Sequence, residues 1–270
     1  MVLSFAKMKD YLQCPKKYHF ANIDEFVKAH KKEFEPSSAD LTMGNIVHSV
    51  LARYFEIPQN ERNLKSINVL LKNAWHGPRG KGGGFESLDQ EREYYRMAVS
   101  MVEYFYNSQG GDKNVLSVTD PEGRETYFKE EVDDDLVLTG RIDRIDAAGD
   151  THLKIVDYKT GLKQEDDFQL MIYALIAEKK FGKKVDEASY VYLKTEKEVS
   201  FSADKSTKEM TLEKTKVIAK SIHEDKVFMP KPSRLCKFCP FINICPAKDE
   251  AYKIISEGAE RASESIGYDV

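Results

Sequence analysis

Asp143, Asp157 and Lys159 fall within one short stretch, TGRIDRIDAAGDTHLKIVDYKTG, residues 139–161. The stretch reads as two strands around a turn. Ile142 and Ile145 lie in the first run, Leu153, Ile155 and Val156 in the second, and Ala148-Gly149-Asp150 supplies the turn. Successive strand side chains point to opposite faces, so Asp157 and Lys159 share one. A suitable hairpin register adds Asp143 to that face, whereas Asp146 falls on the other and reads as structural. Two carboxylates and a lysine on one sheet face are costly to bury unless something binds there, and a divalent cation is the natural guest.

A second set of residues suits a different metal. Cys236 and Cys239 are two residues apart, Cys245 follows, and Cys14 is the fourth cysteine of the chain. Pro15, Pro240 and Pro246 follow Cys14, Cys239 and Cys245. One remote and three clustered thiolates would tie the two ends of the chain together. Thiolates suit zinc or an iron–sulfur cluster. Zinc usually takes two CxxC-like pairs, so this layout favours a 4Fe–4S cluster, with zinc as the alternative.

The chain must hold these residues within 270 positions, enough for one large elaborated domain or two small ones. Its 41% apolar and 32% charged content is that of a soluble globular protein. A net charge of −4 does not mark the whole chain as a polyanion binder, so any such contact must come from local basic patches. No run of about 18 apolar residues is present, and MVLSFAKMKDYLQCP lacks a signal-peptide core. The expected location is cytoplasmic, with no membrane partner, and there four cysteines point to metal ligation rather than disulfides.

Periodicity supplies the positioning elements. Ser4 is placed to cap a first helix. A helix over about 39–55, with Leu41, Val47, Val50, Leu51 and Tyr54 at helical spacing, carries His48 four residues after Gly44. Helices over 64–75 and 89–106 flank HGPRGKGGGF, a glycine-rich surface loop with Arg79 and Lys81 that lacks the lysine–Ser/Thr pairing of a Walker loop. Strands follow from about 125 to 192, interrupted by a helix over about 166–181. A further helix covers about 208–223, and the polar tail after Ser256 reads as a loose helix or disorder. In the 166–181 helix Gln169 and Tyr173 stand four apart and share a face. Alone they read as a solvated glutamine and a packed tyrosine; ten residues after Lys159, they could instead reach the edge of the site.

Taken in order, GNIVHSVL around His48, GRIDRID, VDYKTG and the Gln169–Tyr173 pair resemble the motifs of RecB-family nucleases in the PD-(D/E)XK superfamily. The cysteine set resembles that of the iron–sulfur members, the AddB-type repair nucleases and the CRISPR-adaptation exonucleases. The resemblance spans Cys14 to Cys245. It implies an α/β fold: a mixed central β-sheet flanked by helices, restriction-endonuclease-like, forming a single nuclease domain over 1–270. A helical insertion would occupy 56–124, and a four-cysteine cluster region would join segments 1–35 and 226–250. Carried over by position, His48, Asp143 and Asp157 would bind Mg2+ or Mn2+, with the Tyr158 carbonyl completing the set. Lys159 would orient or activate the attacking water. Gln169 and Tyr173 would match a DNA-contacting element, and Glu130 or Glu131 an accompanying upstream glutamate.

The implied activity is that of a metal-dependent DNA nuclease, an exonuclease of DNA repair, recombination or CRISPR adaptation. Such a metal takes oxygen ligands, polarises a phosphoryl oxygen and acidifies its bound water. No ATPase motif is visible, so a helicase partner would be another chain. The alternative is a nuclease-fold subunit that grips DNA or a partner with little catalysis.

Overall fold

The computed structural model describes residues 1–35, 37–111, 114–118 and 127–266, with side chains to 258. The chain divides into two compact units. One comprises Met1–Leu3 and Ser37–Lys214, the other Ser4–Pro36 and Thr215–Val270.

In the first unit, Ala39–Glu56 (α5), Leu64–Trp75 (α6) and Leu88–Gln109 (α7) are helices. Each begins where a side chain satisfies free N–H groups. Ser38 accepts from Leu41, Asn63 and Ser66 form a capping box, and Ser87 accepts from Gln90. The main sheet runs in the order Val115–Val118 (β2), Arg144–Ala147 (β5), His152–Lys159 (β6), Lys184–Tyr192 (β7), Lys197–Ser202 (β8). Only β6 and β7 pair in parallel; the other three pairs are antiparallel. The parallel pair needs a crossover, which helix Phe168–Phe181 (α8) provides. Leu153, Ile155, Val156, Asp157 and Tyr158 are all buried, as in a central strand covered on both faces. Val47, Val50 and Leu51 of α5 and Leu71 of α6 share one core with Phe105 of α7 and Val156 and Tyr158 of the sheet. A smaller sheet pairs Val2–Ser4 (β1) with Leu136–Gly140 (β4) and Phe128–Asp133 (β3). This is the expected mixed α/β architecture.

Several boundaries differ from the sequence reading. Thr139 and Gly140 close β4 in the small sheet, and the hairpin proper begins only at Arg144, turning at Gly149 with φ 78°. Strand β2 lies inside the 56–124 range expected to be helical. Edge strand β8 lies beyond the 192 limit, and β1 precedes the first helix. The glycine-rich loop is anchored rather than loose: the Glu91 carboxylate accepts from the Gly80 N–H at 3.0 Å and pairs with Arg79 Nε at 3.3 Å. Gly84 has φ 78°, and a Cβ there would meet the Ser37 carbonyl oxygen at 2.5 Å, so no other residue fits.

The second unit contains Phe5–Gln13 (α1), Pro15–Asn22 (α2), Glu25–Ala29 (α3), Lys31–Phe34 (α4), the end of Lys205–Glu224 (α9) and Lys248–Ile266 (α10). Residues 16–35 are therefore largely helical, and the tail after Ser256 continues a regular helix to Ile266. Ser4 caps α1 as expected, accepting from Lys7. Aromatic contacts fill this small unit: Tyr18 stacks on Phe228, and Phe20 meets Phe241.

On the side of the main sheet that carries Val156 and Tyr158 lies a buried cation. Arg144 is 1% exposed; it donates to the Tyr158 hydroxyl at 2.6 Å and to Gln109 Oε1 at 3.0 Å, and pairs with Asp146 Oδ1 at 2.9 Å. Asp146 is thus the counter-charge of a structural arginine. Asp146→Ala leaves that guanidinium without its carboxylate, which costs about 3–5 kcal/mol. Urea titration should show the loss, and undiminished stability would mean that Tyr158 and Gln109 alone compensate the charge.

Candidate active site

The β5–β6 register, Arg144 opposite Val156 and Ile145 opposite Ile155, places Asp143, Asp157 and Lys159 on one side of the sheet, with Arg144, Asp146 and Tyr158 on the other. Asp143 occupies the bend just before β5, and Asp157 and Lys159 the last turn of pleat in β6. Helix α5 brings in His48, whose Nδ1 lies 3.1 Å from Asp143 Oδ1. The Tyr158 N–H donates to Asp143 Oδ2 at 2.8 Å, tying the first carboxylate to the strand that carries the second. Gly44 allows this approach: a Cβ there would stand 3.1 Å from Thr160 Oγ1, one residue past Lys159.

Lys159 is held from three directions. Its Nζ lies 2.7 Å from Asp157 Oδ2, donates to Gln169 Oε1 at 2.8 Å and sits 4.8 Å from the centre of the Tyr190 ring. Gln169 Nε2 in turn donates to the Tyr173 hydroxyl at 2.9 Å. Tyr173 is 7% exposed, and a Cβ on Gly140 would meet its ring at 2.7 Å. The Gln169–Tyr173 pair therefore faces inward, onto the lysine. Sequence reasoning found the pair but not its direction; it noted Gly44 beside His48 without giving it a role, and it missed Gly140 and Tyr190.

Two carboxylates share this face, and only one of them is partly solvated. Burial, and then the Asp143 charge, push the Asp157 carboxyl up to about 6, with Lys159 and His48 offsetting part of the rise. For His48 burial opposes the charged form, but the neighbouring Asp143 outweighs it and the imidazole is raised. Burial and the Asp157 charge also raise the Tyr173 and Tyr190 phenols, so both stay protonated. Asp157 Oδ2, though close to Lys159, is buried with no hydrogen bond of good geometry. An oxygen donor of this kind, beside a second carboxylate, fits a hard divalent cation. Among the described residues, no three His, Cys, Asp or Glu side chains converge as a metal requires. Asp143 is turned to His48 and the Tyr158 N–H, and Asp157 to Lys159.

The other expected residues lie elsewhere. Glu130 faces Lys180 at 3.6 Å. That lysine is eleven residues along α8 from Gln169, about 16 Å. Glu131 is its neighbour on β3. Cys14, Cys236, Cys239 and Cys245 are free, half-buried thiols lining one cavity of about 30 Å³ in the second unit. The Lys231 N–H donates to Cys14 Sγ and the Ser233 N–H to Cys236 Sγ, both at 3.3 Å, and burial pushes the Cys239 thiol up.

The raised Asp157 carboxyl makes a stability prediction for protein held in chelator. Its native pKa of about 6 lies above the ordinary 3.8, so the group favours the folded state in acid. That contribution is whole below about pH 4 and is lost as pH rises through about 6. Asp157→Asn should therefore be more stable than the parent at pH 8, by up to about 3 kcal/mol, and the gap should close near pH 4. Urea titrations at the two pH values measure it; a gap independent of pH would refute the raised carboxyl of Asp157.

Comparison with known proteins agrees with this geometry. Residues 2–246 match the PD-(D/E)XK nuclease superfamily. The Gene 69 protein of Mycobacterium phage D29 is 28% identical over 275 residues, covering 90% of this chain and 96% of its own. A subunit of the ATP-dependent helicase/deoxyribonuclease of Clostridium acetobutylicum is 27% identical over 205 residues, and its counterpart in Clostridium perfringens strain SM101 is 27% identical over 216. In both cases 63% of this chain is matched, but it spans only 17% of the relative's length. A solved crystal structure, that of SSO0001, aligns with 92% of this chain and 86% of its own at 14% identity, with a TM-score of 0.36, too low to bear on the fold. Matched over nearly its whole length and carrying the paired acids and lysine at the end of its central hairpin, the chain belongs to the PD-(D/E)XK nuclease superfamily.

Proposed function

We propose that this protein is a deoxyribonuclease dependent on Mg2+ or Mn2+, acting as an exonuclease on DNA ends in repair, recombination or CRISPR adaptation. The observation that carries the reading is the placement of Asp143, Asp157 and Lys159 on one face at the end of the β5–β6 hairpin. Asp143 and Asp157 would hold the cation, with His48 and the Tyr158 carbonyl as the further ligands. Bound there, the ion supplies Lewis-acid polarisation of the phosphodiester and acidifies a bound water. Lys159 Nζ, fixed between Asp157 and Gln169, holds the attacking water in line. Gln169 and Tyr173 act through Lys159: their hydrogen bonds keep the ammonium from turning away into solvent. The raised Asp157 carboxyl implies that cation binding strengthens as pH rises through about 6, because the ligand must lose its proton.

The same reading extends to the cysteines. Cys14, Cys236, Cys239 and Cys245 would hold a 4Fe–4S cluster, or zinc as the alternative. Support comes from their common cavity and from two backbone N–H groups already directed at sulfur, the kind of contact that tunes ligated thiolates. The Clostridium relatives are named as subunits of a helicase/deoxyribonuclease, which makes a helicase in another chain the partner class for this one.

End-labelled single- and double-stranded DNA, incubated with each metal, tests the activity. Asp143→Asn and Lys159→Met should each slow cleavage at least about a hundredfold, in line with losing a positioned catalytic group. Cleavage unchanged in both variants would remove the assignment. Binding of DNA with no cleavage by the parent protein would favour the grip-only role. Separately, anaerobically purified protein should contain about four irons with matching acid-labile sulfide per chain. Stoichiometric zinc without iron would settle that metal the other way.

A further inference from the structure

Helices α6 and α7 enclose a groove of about 610 Å³ that neither the acids nor the cysteines use. One stripe of α7 faces it: Leu88, Glu91, Arg92, Tyr95 and Arg96, at the spacing of a single helix face. Opposite stand Lys72 and Trp75 from the last turn of α6, with Arg79 just beyond. The floor is apolar and aromatic. Trp75 and Tyr95 meet edge to face at 5.1 Å, and Leu88 is 55% exposed. The rim is basic.

The groove holds four permanent cations against one carboxylate, in a chain whose net charge is −4. That carboxylate, Glu91, is 6% exposed and already committed to Arg79 and the Gly80 N–H; burial opposes its charge, but these partners hold its carboxyl below the ordinary range. Arg92 meets Asp89 only at the exposed surface, 3.1 Å away, a pairing worth little. Among the described residues Lys72 and Arg96 have no acidic partner. Ordinary solvated helix faces mix both signs, whereas here like charges from two helices converge on an aromatic floor.

We propose that the α6–α7 groove is a guide for single-stranded DNA, with Lys72, Arg92 and Arg96 on its phosphates and Tyr95 and Leu88 against its bases. Cationic rims that track a backbone over rings that accept any base are the general solution to sequence-independent single-strand binding. The proposal rests on the nuclease reading for the choice of DNA over another polyanion, and its test does not depend on catalysis.

Binding of a fluorescent single-stranded oligonucleotide to the full chain, followed by anisotropy in chelator over a range of salt, reads the groove alone. The triple variant Lys72→Glu, Arg92→Glu, Arg96→Glu should weaken binding at least about tenfold. Loss of three phosphate contacts should make the slope of log K against log salt shallower by about 2. If the charge reversals impair folding, judged by circular dichroism, the Gln versions at the same positions replace them and should retain the shallower slope. Unchanged affinity and slope in the groove variants would overturn the proposal, as would displacement of DNA by a polyglutamate peptide at lower concentration than by unlabelled oligonucleotide. A parent protein that binds through the groove yet cleaves no DNA would overturn the nuclease reading and leave the groove standing.

Discussion

Mutual repulsion between Asp143 and Asp157 is the constraint around which the first unit is arranged. Two carboxylates on one face, one of them 4% exposed, are tolerable only with cations and donors brought to them. Lys159 answers the inner acid, and His48 with the Tyr158 N–H answers the outer one. Each answer imposes a demand further out. His48 requires α5 to lie close to the end of β6, which Gly44 permits, and Lys159 requires Gln169, which is held by a tyrosine seated against Gly140. Burial first and the Asp143 charge second leave the Asp157 carboxyl raised, and a doubly charged cation would offset both more fully than Lys159 or His48 does.

The opposite side of the same hairpin has the reverse problem and solves it permanently. Arg144 is more deeply buried than either acid of the site, yet its guanidinium lies against the Asp146 carboxylate and donates to Tyr158 and Gln109. One strand pair thus carries a buried cation with its counter-charge on the side packed by α5, α6 and α7, and two acids with Lys159 on the other. Tyr158 joins them, since its hydroxyl serves the arginine while its N–H serves Asp143.

Much of this was legible in the sequence because it rests on period and on local chemistry. Alternation along LKIVDYK separates Asp157 and Lys159 from Tyr158, and apolar spacing placed the helix that carries His48. What escaped depended on distant partners. Nothing local distinguishes Val2–Ser4 from the start of a helix, because its strand character comes from pairing with β4, far along the chain. Residues 115–118 are a strand only because β5 is available beside them. Gln169 looks solvated until Lys159 is placed 2.8 Å away. The basic stripe of Arg92 and Arg96 was hidden for another reason: on one helix it resembles any charged face, and only the approach of Lys72 from α6 turns it into a groove.

The division of the chain has a consequence for the order in which it is made. The segment Ser37–Lys214 is continuous, whereas the cysteine-bearing unit is assembled from residues on both sides of it. During synthesis Cys14 emerges about 220 residues before Cys236, and closing so long a loop costs little more entropy once the intervening chain is compact. The acids, the lysine and the basic groove all lie within the continuous segment, whereas three of the four thiols follow it in the chain. A ligand shared by Cys14 and the three later thiols could therefore be bound only after the whole continuous segment has been made.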